Sequence, residues 1–164
     1  MELTQERLKE LLHYCPETGV FTRLTRVAQR VHIGDIAGSK TNQGYWSIRI
    51  DGKQYQAHRL VWLYVNGNFP KNEIDHINNI RNDNRLFNLR EAIHMQNMQN
   101  QKTAMKSNKS TGLLGAYFCK KDNLYRSCIR VNKKLNHLGS FKTPQDAHQA
   151  YLTAKRQLHE FNTL

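Results

Sequence analysis

Acidic residues are scarce in this chain. Thirteen Asp and Glu stand against 25 Lys and Arg, a net charge of +12 over 164 residues. An excess of that size points to a polyanionic partner, most often nucleic acid. Cysteine is sparse too: Cys15, Cys119 and Cys128 are odd in number and form no C-x-x-C pair. That argues against a disulfide framework and against a structural zinc site, and fits ordinary thiols in a reducing compartment. Apolar runs long enough to span a membrane are missing, as is a signal-peptide core. The expectation is a soluble, cytosolic protein that engages no membrane. Only three prolines, Pro16, Pro70 and Pro144, punctuate the chain, so most of it is open to regular structure. Hydrophobic content is 38%, low for a globular protein but too high for a disordered one.

The charge is unevenly spread. Residues 1–100 carry 13 basic and 10 acidic side chains, net +3, whereas residues 101–164 carry 12 and 3, net +9. The last third is therefore the main electrostatic footprint, and the first part is balanced enough to be an enzymatic core.

Local patterns give an α+β outline. Thr4 caps a short helix bearing Leu8, Leu11 and Leu12, halted at Cys15–Gly19. Val20–Leu24 reads as a strand, with a further short strand near Val31–Ile36. Trp46, Ile48 and Ile50 alternate with polar residues, Asp51-Gly52 makes a tight turn, and Tyr55 and Ala57 return: a hairpin. Ala57–Val65 reads as a largely buried helix closed by Asn66-Gly67. Glu73–Asp75 and Leu86–Leu89 read as strands around a loop with five Asn/Asp in seven residues, Asn78–Asn84. A helix follows from Ala92 and carries Asn97. Residues 101–112 are Lys, Ser, Thr and Asn with little to bury, a basic linker suited to lie along a phosphate backbone. Leu114–Cys119, Tyr125–Val131 and Leu135–Phe141 read as three strands. Thr143-Pro144-Gln145-Asp146 starts a helix whose inward stripe is Ala147, Ala150, Tyr151, Ala154, Leu158 and Phe161.

The chemistry concentrates in Glu73–Asn97, EIDHINNIRNDNRLFNLREAIHMQN. Phosphodiester hydrolysis needs a deprotonated water, charge stabilisation at phosphoryl oxygens and help for the leaving oxygen. A neutral His serves the first need, and a hard divalent cation the other two. Mg²⁺ takes oxygen ligands and accepts few from protein. Asp75 and the side-chain oxygen of Asn97 make such a sparse set, with His76 beside them as the base. His58, on a helix rich in Leu, Val and Trp, is open to a structural or a catalytic reading.

Asp75-His76, Asn88-Leu89-Arg90 and Asn97 together resemble the HNH (ββα-metal) nucleases, and more closely the phage and intron-encoded homing endonucleases, whose third motif residue is Asn. Tyr45, His58-Arg59-Leu60-Val61-Trp62 and Pro70 also look like that family. The resemblance implies a metal held by Asp75 and Asn97, His76 as general base, and Asn88 hydrogen-bonding backbone across the β-β loop. Asn in place of a final His favours Mg²⁺ or Mn²⁺, one ion per active site, with no small-molecule cofactor. Arg85 and Arg90 are expected on DNA phosphate or the leaving group.

Residues 107–161 resemble the APETALA2-type DNA-binding domain, through Gly115, Tyr125, Ile129-Arg130-Val131, Leu138-Gly139-Ser140-Phe141 and Ala147–Tyr151. That family's sheet face enters the major groove. By alternation, Arg126, Cys128 and Arg130 would face DNA with Tyr117, Cys119 and His137, while Tyr125, Ser127, Ile129 and Val131 would face the helix. Lys120, Lys121, Lys133 and Lys134 at the turns would reach phosphates. Leu114 and Tyr117 stand where the family often has Arg.

The organisation expected is thus an HNH nuclease domain over residues 1–101 (ββα-metal core about 73–100), a basic linker over 102–112, and a three-stranded antiparallel sheet with one helix over 113–164. The function expected is a site-specific homing-type DNA endonuclease acting on double-stranded DNA. It would nick as a monomer or cut both strands as a homodimer, in the cytoplasm of a bacterial host or as a phage-encoded protein there. The alternative is a non-catalytic, sequence-specific DNA-binding regulator.

Overall fold

A computed structural model describes Glu2–Thr163. The chain divides into two compact units, Met1–His94 and Met95–Leu164.

In the first unit Thr4 caps α1 (Gln5–Leu11) by accepting the Arg7 amide. The helix ends one residue before Leu12, which opens β1 (Leu12–Cys15) and pairs with Arg23 of β2 (Val20–Arg23). Leu12 therefore belongs to a hairpin rather than to the expected helix. Both assignments put an apolar side chain in the core, and the extended one also forms a ladder. The strand expected near Val31–Ile36 does not form; that stretch makes only the isolated bridges Thr22–Ile36 and Ala28–Val31.

β3 (Ser39–Lys40), β4 (Trp46–Ile50) and β5 (Lys53–Gln56) form an antiparallel sheet. Asp51 and Gly52 take φ of 45° and 80° at the β4–β5 turn, the left-handed pair that matches strand twist. α2 (Ala57–Asn66) follows directly and ends on Gly67 in the left-handed region. Its face of Ala57, Leu60, Val61 and Leu63 closes one core with Leu8, Phe21 and Ile48. Tyr14, Phe21 and Tyr64 meet there with ring centroids 5.1–5.9 Å apart.

β6 (Glu73–His76) pairs antiparallel with β7 (Leu89–Ala92). The expected strand Leu86–Leu89 is misplaced: Leu86–Asn88 is a 3₁₀ turn, and the strand starts at Leu89. The buried Asn88 amide bonds to loop backbone, which curls the chain before it can extend. Ala92 ends the strand, and α3 (His94–Gln99) carries Asn97, so the chain order is β–β–α. Among the described residues no helix is long and apolar enough to cross a membrane.

In the second unit β8 (Ala116–Cys119), β9 (Leu124–Val131) and β10 (Lys134–Phe141) form an antiparallel sheet with β9 central. α4 (Pro144–Leu158) packs on it, with Thr143 accepting the Asp146 amide and Pro144 in the first turn. Ala116, Ser127, Ile129 and Ala147 are buried between them. The inward stripe differs from expectation at its end. Leu158 is 45% exposed and Lys155 is buried, its Nζ donating to the Gln101 carbonyl. Residues 102–112 hold no helix or strand but are not loose. Asn108 Nδ2 donates to the Leu113 and Ala116 carbonyls at 2.9 Å each, and Thr111 Oγ1 to Ala116 at 2.7 Å.

Candidate active site

The β6–β7 ladder sets the geometry. Asp75 lies opposite Arg90 and His76 opposite Leu89. Directly opposed residues share a face of the sheet, so Arg90 meets the buried Asp75 carboxylate, Nε and Nη2 both reaching Oδ2 at 2.9 and 2.8 Å. Arg90, expected on DNA, is thus engaged with the carboxylate expected to bind metal.

His76 is 5% exposed. Its Nε2 lies 3.2 Å from Oδ1 of Asn84, itself buried. An amide oxygen only accepts, so Nε2 carries the proton and Nδ1 is the unprotonated nitrogen. The amide orientation is supported by Asn84 Nδ2, which donates to the Asn82 carbonyl at 3.5 Å. Burial lowers the His76 pKa from its ordinary value, opposed in part by the Asn84 hydrogen bond. The imidazole is neutral at physiological pH, the state a general base requires.

Asn84 is buttressed from the first hairpin. The Tyr14 hydroxyl donates to the Asn84 carbonyl at 2.9 Å, and burial pushes the Tyr14 pKa up to about 12, keeping that donor protonated. Gly19, at φ +72°, approaches so closely that a Cβ there would stand 2.5 Å from the Arg85 nitrogen. Only glycine tolerates both the backbone and the contact.

Asn88 spans the loop between β6 and β7. Its Oδ1 accepts the Asn78 amide at 3.0 Å, its Nδ2 donates to the Asp83 carbonyl at 2.8 Å, and its carbonyl accepts the Ile77 amide at 2.9 Å. Arg85 makes a two-point ion pair with Asp83, at 2.7 and 2.6 Å, which holds the Asp83 carboxyl down at about 2.

A second imidazole adjoins the first. His58 on α2 is 8% exposed, with its ring edge-on to His76 at 5.1 Å and Tyr45 packed on both at 5.4 and 6.0 Å. Its Nδ1 is buried without a hydrogen-bond partner among the described residues. Burial, with the neighbouring His76 and Arg59, lowers its pKa to about 3, so it stays neutral. Arg81 covers the outer face of Tyr45 at 5.1 Å.

Residues 55–99, which contain α2, both strands of this ladder and α3, match the HNH endonuclease family. Protein 3.8 of Escherichia phage T7 is 34% identical over 108 residues, 65% of this chain and 87% of that protein. The chain belongs to the same family as this phage protein and carries an HNH endonuclease domain. No solved structure matches the chain significantly.

Within the HNH domain the strands bring together Asp75, His76 and Arg90, the turn before β7 carries Asn88, and α2 adds His58. Asn97 lies half-buried on α3, in the second unit. Among the described residues no three His, Cys, Asp or Glu side chains cluster to hold a metal. Asp75 and Asn97 each offer a side-chain oxygen, the donor type that a hard divalent cation takes. Asn84, the partner of His76, was missed by the sequence reading. Its only signal is its place in the Asn78–Asn84 run, where nothing singles it out.

The second unit presents an exposed sheet face. Tyr117 lies opposite Arg126 and His137 opposite Cys128. Cys128 Sγ lies 3.6 Å from His137 Nδ1 and 3.8 Å from the Tyr117 hydroxyl. Arg130 is exposed, as are Lys120, Lys121 and Lys133 at the turns. Arg126 is paired with Asp122.

Proposed function

We propose that the protein is a site-specific DNA endonuclease of the homing type, with the HNH domain cutting and the second unit choosing the site. The observation that carries this reading is the buried neutral His76, with Nε2 tied to Asn84 beside the Asp75 carboxylate. That arrangement suits a base drawing a proton from water onto Nδ1. Asp75 and Asn97 would hold one Mg²⁺ or Mn²⁺. Such an ion, when bound, neutralises charge on the phosphoryl oxygens and assists departure of the 3′ oxygen. Water adds to phosphorus, the bond to the 3′ oxygen breaks, and the products are a 5′-phosphate and a 3′-hydroxyl. Asn88 and Asn84 position the loop and the imidazole. Arg90 keeps the Asp75 carboxylate oriented, and Arg85 lies at the loop edge where DNA would pass.

The second unit is read as an APETALA2-type module. Tyr117, Arg126, Arg130 and His137 would meet the groove, and Lys120, Lys121 and Lys133 the phosphates. Its +9 share of the charge supports this. One active site per chain nicks as a monomer and cuts both strands as a homodimer. The experiment is incubation with supercoiled plasmid and long duplex DNA, with Mg²⁺, with Mn²⁺ or with EDTA. Nicked product with the metals and none with EDTA is expected. Protein that binds DNA and never cuts it would be a non-catalytic DNA-binding regulator.

A further inference from the structure

Phe87 stands outside every packing arrangement described above. It is 71% exposed, although the residues on either side turn inward: Leu86 packs on the core and Asn88 is buried. The 3₁₀ turn and the Asn88 hydrogen bonds hold the ring outward, so its exposure is built into the loop. The Arg85 guanidinium backs it, 4.7 Å from the ring centroid. Arg85 is itself held by the two-point pair with Asp83. The three residues make a preorganised flat surface whose positive charge is already matched.

We propose that Phe87, backed by Arg85, is a stacking platform for a nucleobase of the DNA beside the scissile phosphate. The inference rests on the nuclease reading above. The platform sits two residues before Leu89, the register partner of His76, on the same loop as Asn84. Of the exposed loop residues 79–82 and 87, Asn79, Arg81 and Asn82 are polar, and Ile80 at 52% exposure is the other apolar one. A lone ring among polar and cationic groups matches a base between phosphates better than the broad apolar face of a protein. Aromatic side chains stack on bases without regard to sequence, and apolar wedges unstack base steps. Because Asp83 neutralises Arg85, the platform adds stacking to the interface rather than a phosphate contact.

The test uses the duplex that the wild-type protein nicks, with 2-aminopurine at the base steps on either side of the cut, bound by His76→Ala protein so that it stays intact. Fluorescence should change on binding at one of these steps. The change should vanish with added Phe87→Ala and persist with Phe87→Trp. In the otherwise wild-type protein, Phe87→Ala should lower cleavage efficiency about 5- to 150-fold, the equivalent of ~1–3 kcal/mol of stacking. The salt dependence of binding should not move. A thermal melt checks folding, and Ile80→Ala controls for loop exposure. Unchanged fluorescence and cleavage in Phe87→Ala overturn the inference while the nuclease reading stands. Lost cleavage with unchanged fluorescence overturns it as well, by placing Phe87 in the loop's shape instead of on a base. If wild-type protein cuts no DNA, the nuclease reading falls first and the platform with it.

Discussion

Replacing Asn84 with Ala tests the reading of His76 without touching a metal ligand. The variant removes the acceptor 3.2 Å from His76 Nε2, and both residues are buried, at 3% and 5% exposure. A buried N–H left without a partner costs about 1–3 kcal/mol. Turning the imidazole or moving its proton to Nδ1 relieves that cost, and either removes the base from its working geometry. Expressed in the transition state, that is about a 5- to 150-fold loss of rate. The fold should survive, because Tyr14 holds this loop through the Asn84 backbone carbonyl, which the substitution retains. The assay is single-turnover nicking of prebound supercoiled plasmid, with DNA affinity measured separately. Asn84→Asp restores an acceptor and should recover much of the rate. Wild-type rates in Asn84→Ala would refute the reasoning, and so would an Asn84→Asp variant as slow as Asn84→Ala.

Two further predictions concern His58 and the second unit. Burial holds the His58 pKa at about 3, against an ordinary 6.5. Below pH 6.5 the unfolded chain takes up a proton that the native one refuses, so stability is present above that pH and is lost as pH falls. This one group should account for about 2 kcal/mol lost between pH 6.5 and 5, and urea melts of His58→Phe should show a flatter profile. A slope identical to wild type would show that His58 is not held neutral. On the sheet face, Arg130→Ala should weaken DNA binding by about 1–3 kcal/mol and relax specificity at one position. Arg126→Ala should weaken it less, since Asp122 already holds that guanidinium; equal effects would contradict the assigned pairing.

Much of the fold was legible where local chemistry and tertiary packing agree. The β4–β5 hairpin carries both alternation and Asp51-Gly52, and α2 carries both a buried face and an Asn66-Gly67 stop. The misread segments are those where an apolar residue suits two conformations. Leu12 could extend a helix or open a strand, and pairing with Arg23 decided for the strand. Leu86, Phe87 and Leu89 look like a strand until Asn88 spends its amide on the loop backbone. The Asp-His pair was singled out only in company with Asn88-Leu89-Arg90 and Asn97, the pattern that carries the family resemblance. Asn84 was not singled out, because one amide among five polar neighbours differs only in where the fold points it. His58 was noticed but left open: its burial depends on the fold bringing the start of α2 against His76 and Tyr45, which no local pattern encodes. Lys155 breaks an otherwise apolar stripe, and its long stem can be buried while the ammonium reaches a carbonyl.

The most direct measurement compares wild-type protein with His76→Ala on DNA that both bind, in Mg²⁺. The account predicts single-turnover nicking by the wild type, stopped by EDTA, with cleavage in His76→Ala reduced at least about 100-fold, the low end of a general base's contribution, and affinity unchanged. Cleavage by His76→Ala at the wild-type rate would contradict it.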